Sequence, residues 1–284
     1  MRLTPAQLEH YRTYGFAAVE NLFDPEELER LRAHADRDLA TESPRRVLEA
    51  GSSLVRATHG AHLATAFFGD LVRLSRLIDI AEQVVGEDVY IHQFKINAKS
   101  ALGGEMWEWH QDSYFWARED GMHGSGAMNV VVHLDEVTEF NGPLMLIPGS
   151  HRVGEIPASD VPGQHGGDAW LQTVSAQLKY TLGQDVLRQL VDRHGIESIK
   201  GPAGTTLLFD PAVVHGSPGN LSPYDRRLLI MSYNRSDNPL ADVANPRPEF
   251  IAARDFTPLR RLDRDEVPNH PLGAPPAAVT EPGR

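Results

Sequence analysis

His110 and Asp112 stand two residues apart in Trp107–Trp116, WEWHQDSYFW, an aromatic stretch suited to a β-strand. On an extended strand, side chains at i and i+2 leave the same face roughly 6.5 Å apart, so an imidazole and a carboxylate can converge on one metal ion. A third ligand must come from elsewhere. His215 is the candidate, closing the apolar run Thr205–Val214 directly before the turn Gly216-Ser217-Pro218-Gly219. Two imidazoles and one carboxylate, with other positions left open, make the facial triad of non-haem Fe(II) oxygen chemistry.

A His-x-Asp pair by itself occurs by chance in many chains, but the residues downstream of His215 strengthen it. Arg226 lies past a turn rich in Gly, Pro, Asn and Ser, at the head of the strand-like run Leu228–Tyr233. A hairpin there would swing the guanidinium back toward the metal. A planar guanidinium is the bidentate partner that one carboxylate of 2-oxoglutarate needs while its keto acid end chelates iron. His123 and His133 are rival imidazoles, but neither has a carboxylate at strand spacing on a shared face together with a downstream arginine.

These groups need elements to hold them. Val89–Lys99 reads as a strand with Gln93, Lys95 and Asn97 on one face and Phe94, Ile96 and Ala98 on the other. A polar row aimed inward and ordinary edge-strand exposure explain that alternation equally well. Met128–Leu134, Leu144–Ile147, Thr205–Phe209 and Leu228–Tyr233 are further strands, and Arg118-Glu119-Asp120-Gly121 reads as a turn. Helices gather near the start: one capped by Thr4-Pro5-Ala6-Gln7, one starting at Asp24-Pro25-Glu26-Glu27, and a core-facing one over Phe67–Val85. The fold class expected is mainly β with flanking helices, a jelly-roll (double-stranded β-helix) core. One domain over 1–259 and a poorly ordered Pro-rich tail over 260–284 are expected, with Val153–Tyr180 a loop over the pocket.

Composition narrows the function. Lys and Arg number 27 against 39 Asp and Glu, a formal charge of −12 without a basic run, so nucleic acid and acidic membrane surfaces are poor partners. With no cysteine, disulfides, thiolate metal sites and cysteine nucleophiles are excluded. The start MRLTPAQLEHYRTYG has no apolar core of signal-peptide length, and no stretch of roughly 18 apolar residues could span a bilayer. A cytoplasmic protein acting on a small molecule is expected.

The run from Trp109 to His151, including WHQDSYFWAREDGM and NGPLMLIPGSH, resembles the phytanoyl-CoA dioxygenase family in its small-molecule branch of ectoine hydroxylases. YIHQFKINAK (Tyr90–Lys99), GIESIKGPAGTTLLFD (Gly195–Asp210), SYNRSDN (Ser232–Asn238) and PRPEFIAARDFTPL (Pro246–Leu259) extend the likeness to bacterial hydroxylases of free amino acids. The proline trans-4-hydroxylase type is nearest, with leucine 5-hydroxylases beside it. The resemblance implies Fe(II), 2-oxoglutarate and O2, with 2-oxoglutarate oxidised to succinate and CO2 and a C–H bond hydroxylated; Asp112 favours this over halogenation, for which a small residue would stand in its place. It further implies His110, Asp112 and His215 as iron ligands and Arg226, Ser217, Asn97, Gln93 and Asn129 around the cosubstrate. Around the substrate it implies Lys95, Trp116, Arg118, Arg235 and Arg56, Lys95 standing where the ectoine type has arginine. L-proline is the leading substrate, ahead of leucine, other aliphatic or cyclic amino acids and ectoine. Two other classes stay open: a Zn2+ hydrolase or isomerase on the same triad, and a jelly-roll binding protein without catalysis.

Overall fold

The computed structural model describes residues 1–124, 126–160, 169–175 and 178–272. Helix α1 (Pro5–Tyr14) starts at a capping box between Thr4 and Gln7 and stops at Gly15, after which the chain enters strand β1 (Phe16–Val19). Helix α2 (Pro25–Ala40) repeats the device with Asp24 and Glu27. Strands β2 (Arg46–Leu48) and β3 (Val55–His59) precede helices α3 (Ala61–Ala64), α4 (Ala66–Leu71) and α5 (Ser75–Val85). The single helix expected over Phe67–Val85 is therefore two, parted at 72–74, which lets Phe67 and Phe68 on one piece and Leu77 and Ile78 on the other reach the same core.

Strand β4 (Val89–Lys99) comes next, then β5 (Trp107–His110), the short helix α6 (Asp112–Phe115) and a π-helical turn over Trp116–Asp120 where a simple turn was expected. The rest is β6 (Ala127–His133), β7 (Leu144–Leu146), β8 (Ser159–Asp160), β9 (Tyr180–Thr181), helix α7 (Gln184–His194), β10 (Glu197–Ile199), β11 (Thr206–Phe209), β12 (His215–Ser217) and β13 (Arg226–Arg235).

Two antiparallel sheets form the jelly roll, one ordered β1-β11-β6-β13-β4-β3-β2 and a smaller one ordered β10-β7-β12-β5. The large sheet separates two environments. Phe94, Ile96, Val130, Val132, Leu229 and Met231 on one face are fully buried against the helices. Val131, Leu207, Phe209, Leu228 and Ile230 on the other join Leu146 of the small sheet. The alternation along β4 is thereby resolved: Gln93, Lys95 and Asn97 form an inward polar row lining the cavity between the sheets.

Residues 260–272, expected to be poorly ordered, lie against the helices instead. Val267 is buried and its N–H donates to Glu27, while Arg261 pairs with Asp79 and Glu82 and His270 with Asp70. Of the charges of RRLDRDE, which suggested solvation, Arg261 and Asp265 find partners on α5. The stretch 273–284 lies outside the described residues. No helix among the described residues is long and apolar enough to cross a membrane.

Candidate metal centre

Strands β5 and β12 pair with His110 opposite His215, so two imidazoles from distant parts of the chain meet side by side, ring centroids 4.2 Å apart. Each ring is fixed by its own backbone. The Nδ1 of His110 lies 2.6 Å from the Glu108 carbonyl and that of His215 lies 2.9 Å from the Val213 carbonyl, so each Nδ1 carries the proton and each Nε2 keeps a lone pair. Asp112 does not arrive by strand alternation as expected, because β5 ends at His110 and Asp112 opens α6. Gln111 makes that break: its side chain is buried, donating to the Gly154 and Ala212 carbonyls and accepting from the Ile156 N–H.

The ligand atoms of His110, Asp112 and His215 lie within 4.8 Å of one another. The two Nε2 atoms are 3.6 and 3.9 Å from the Asp112 oxygens, too long for hydrogen bonds and spaced around a common point. Burial pushes the Asp112 carboxyl up, but the Lys95 ammonium 3.8 Å away and the two imidazoles outweigh it and hold it well below the usual carboxylate range. Burial, reinforced by His110, lowers His215 to about 3. Deprotonated carboxylate and neutral imidazole are the forms that bind a divalent metal, so this donor set fits Fe(II) with one side left open. His123 and His133 are not part of it.

Asn129, expected at the cosubstrate, is committed to the metal carboxylate: its amide donates to Asp112 at 2.9 Å and its carbonyl accepts from Ser232 at 2.5 Å. Gln93, Lys95, Asn97, Ser217, Trp116 and Arg226 do line the cavity. Arg226 is 2% exposed, donates to the Asn141 and Gly142 carbonyls and makes no ion pair among the described residues. Burial lowers its guanidinium to about 9, partly offset by Asp135. It reaches the cavity differently from expectation: β12 and β13 belong to different sheets, so the chain between His215 and Arg226 crosses the gap rather than turning a hairpin.

The other expected substrate cations are engaged elsewhere. Arg118 pairs at the surface with Glu155 and stacks on Tyr114. Arg235 pairs with Asp237, two residues away. Arg56 is buried against Glu49 at 2.8 Å and stacked on Trp107, one shell behind the cavity.

Two titratable lining residues lay outside the expected set. Arg247 is held by both oxygens of Asp120 and donates to Thr173, while His92 packs on the same carboxylate at 3.0 Å. His59 ends β3 opposite Lys95. The next residue, Gly60, sits at φ +62° and lets the chain at Phe250 pack close, since a Cβ there would come within 2.8 Å of the Phe250 backbone. Arg247 lies in the recognised PRPEFIAARDF stretch and His59 at the end of β3, and no local pattern marked either. Thr173, Val174 and Leu178 of the expected pocket loop also line the cavity, while 161–168 and 176–177 lie outside the described residues.

Known proteins share this architecture. The family described as phytanoyl-CoA dioxygenase (PhyH) matches residues 11–228. The chain is 38% identical over 265 residues to an L-proline trans-4-hydroxylase of Streptomyces griseoviridis, covering 93% of this chain and 98% of that one. It is 36% identical over 260 residues to an ectoine dioxygenase of Nocardia farcinica, covering 89% and 86%. The crystal structure of EctD from S. alaskensis with 2-oxoglutarate and 5-hydroxyectoine superposes with a TM-score of 0.79 at 30% identity, covering 93% of this chain and 89% of that one. The same protein with bound Fe gives 0.77 at 31% identity, covering 92% and 87%.

Proposed function

The chain belongs to the phytanoyl-CoA dioxygenase family, and from that premise we propose that it hydroxylates a free amino acid, L-proline at the trans-4 position first of all. It is a 2-oxoglutarate-dependent non-haem iron dioxygenase. The observation that carries this reading is the convergence of His110, Asp112 and His215 in one cavity with a buried guanidinium, Arg226, that no carboxylate of the described chain occupies. That combination disfavours a Zn2+ hydrolase, which has no use for Arg226, and a binding protein, which has no use for three converged ligands.

In this reading His110, Asp112 and His215 hold Fe(II), which supplies O2 activation coupled to oxidation of 2-oxoglutarate to succinate and CO2. Arg226 pairs with the distal carboxylate of 2-oxoglutarate, supported by the Ser217 hydroxyl and the Asn97 amide N–H as donors. Lys95 remains as the lining cation for the substrate carboxylate, beside Arg247, whose charge is already paired with Asp120. Trp116, Val174 and Leu178 wall the pocket with apolar surface, excluding water and orienting the target carbon. A carboxylate next to apolar walls suits a small aliphatic or cyclic amino acid. The proline reading is supported by the relative that this chain matches over nearly its whole length. Ectoine, a cyclic carboxylate, is the second reading, supported by the EctD likeness.

The test is succinate formation by the Fe(II)-loaded protein with 2-oxoglutarate and O2 across free amino acids and ectoine, with products weighed by mass spectrometry. One oxygen gained by L-proline, and lost in His110→Ala, is expected. Oxygen gained by another compound alone overturns the substrate; no stimulation by any compound overturns the hydroxylase reading.

A further inference from the structure

His59 is fully enclosed, 2% exposed, and neither ring nitrogen has a hydrogen-bond partner, although the residue lines the cavity. A buried polar group left unpaired costs stability, and such groups persist where something not yet bound completes them. The register places His59 directly opposite Lys95 across the β3–β4 pair, and Lys95 reaches to 3.8 Å from the metal carboxylate. His59 therefore sits at the iron end of the polar row, while Lys99, further along β4, is opposite Arg226 at the other.

A zwitterionic substrate brings a cationic nitrogen as well as a carboxylate. Lys95 provides for the carboxylate, but Asp112 is the sole acidic side chain among the described lining residues, and it belongs to the metal. The substrate nitrogen must then be met by a neutral acceptor. Thr173 Oγ already accepts from Arg247 and Asn97 lies toward Arg226; of the remaining neutral lining side chains on the β3–β4 pair, Gln93 and His59, only His59 holds buried polar atoms without a partner. We propose that His59 accepts a hydrogen bond from the amino nitrogen of the substrate and so selects amino acids over carboxylic acids of the same shape. Burial together with the nearby Lys95 and Arg247 charges keeps the imidazole neutral, with a lone pair to offer.

The inference rests on the amino acid hydroxylase reading, and one experiment separates the two. The protein loaded with Fe(II) and 2-oxoglutarate is titrated calorimetrically, without oxygen, with L-proline and with cyclopentanecarboxylate, the same ring with CH2 in place of the nitrogen. The unaltered protein is expected to favour proline by about 10- to 150-fold, the range for a hydrogen bond to a charged group. His59→Phe keeps a flat aromatic ring, one atom larger, and breaks no side-chain hydrogen bond of the free protein, so its melting temperature is expected to stay close to that of the unaltered protein. It should bind proline weakly enough to erase most of that preference, with 2-oxoglutarate affinity unaltered. His59→Gln, which keeps an acceptor, should retain part of the preference. A full preference surviving in His59→Phe overturns the inference, as does an equal loss for both ligands, which would mark His59 as a wall. Should His59→Phe lose 2-oxoglutarate binding, His59→Leu takes its place under the same criteria. If the unaltered protein binds 2-oxoglutarate but no amino acid, the substrate reading fails and the inference with it.

Discussion

Asn129 on β6 donates to the Oδ2 of Asp112 at 2.9 Å across the sheet gap, while Ser232, its register partner on β13, donates to the Asn129 carbonyl at 2.5 Å. The carboxylate that completes the triad is thus aimed by two neutral side chains of the large sheet. Partners of this kind orient a metal ligand, and their loss typically weakens metal affinity about 10- to 100-fold. Asn129→Ala should lower Fe(II) affinity by that factor in an anaerobic titration, with folding preserved; an unchanged affinity would show that Asp112 needs no support.

Arg226 is the buried cation assigned to the cosubstrate. Losing one charge-assisted contact costs about 1.5–3 kcal/mol, roughly a 10- to 150-fold rise in KM for 2-oxoglutarate. Arg226→Gln is expected in that range, and Arg226→Lys should recover only part of it because an ammonium cannot form the parallel pair of bonds. The amino acid KM serves as the internal control and should move much less.

Arg56 and Arg118 were both expected at the substrate, and their surroundings predict opposite behaviour. Arg56→Ala strands the Glu49 carboxylate, 3% exposed, without its partner and should destabilise the fold by about 3–5 kcal/mol in chemical denaturation. Arg118→Ala removes a half-exposed pair with Glu155 and should cost at most about 1 kcal/mol, leaving substrate KM unaltered. A selective rise in substrate KM for Arg118→Ala would return that residue to the pocket.

Acid should weaken the protein before its carboxylates titrate. Burial lowers His59 to about 3, His62 to about 4 and His133 to about 4, from an ordinary value near 6.5. Below that ordinary value the unfolded chain takes up protons that the folded chain refuses, so stability falls as pH drops. The loss runs from about 6.5 down to the folded values, at most about 1.4 kcal/mol per pH unit for each histidine. Asp112 and Asp120, held low in the folded state, contribute their loss only below the ordinary carboxylate range. Denaturant midpoints from pH 7 to pH 5 should therefore decline, and less steeply in His133→Phe; a flat profile would contradict the buried neutral state of these rings.

Local chemistry made much of this protein legible before its folding was considered. The His110, Asp112 and His215 types with a downstream Arg226 point to iron and a dicarboxylate because few donor sets serve that chemistry. The caps at Thr4 and Asp24 and the alternation of β4 are likewise set by neighbours in the chain. What the alternation could not say was which face of β4 looks inward; the helices decided that by covering Phe94 and Ile96 and leaving Lys95 for the cavity. Tertiary structure alone also decided which cations are free to meet a substrate. Arg118 and Arg235 are engaged at the surface, Arg56 is neutralised by Glu49, and Arg247, brought in from 127 residues away, is neutralised by Asp120, while Lys95 and Arg226 face the cavity. Whether a charge is available depends on the opposite charges that folding places around it, and a buried ring such as His59 is unpaired only once strand register has fixed its neighbours.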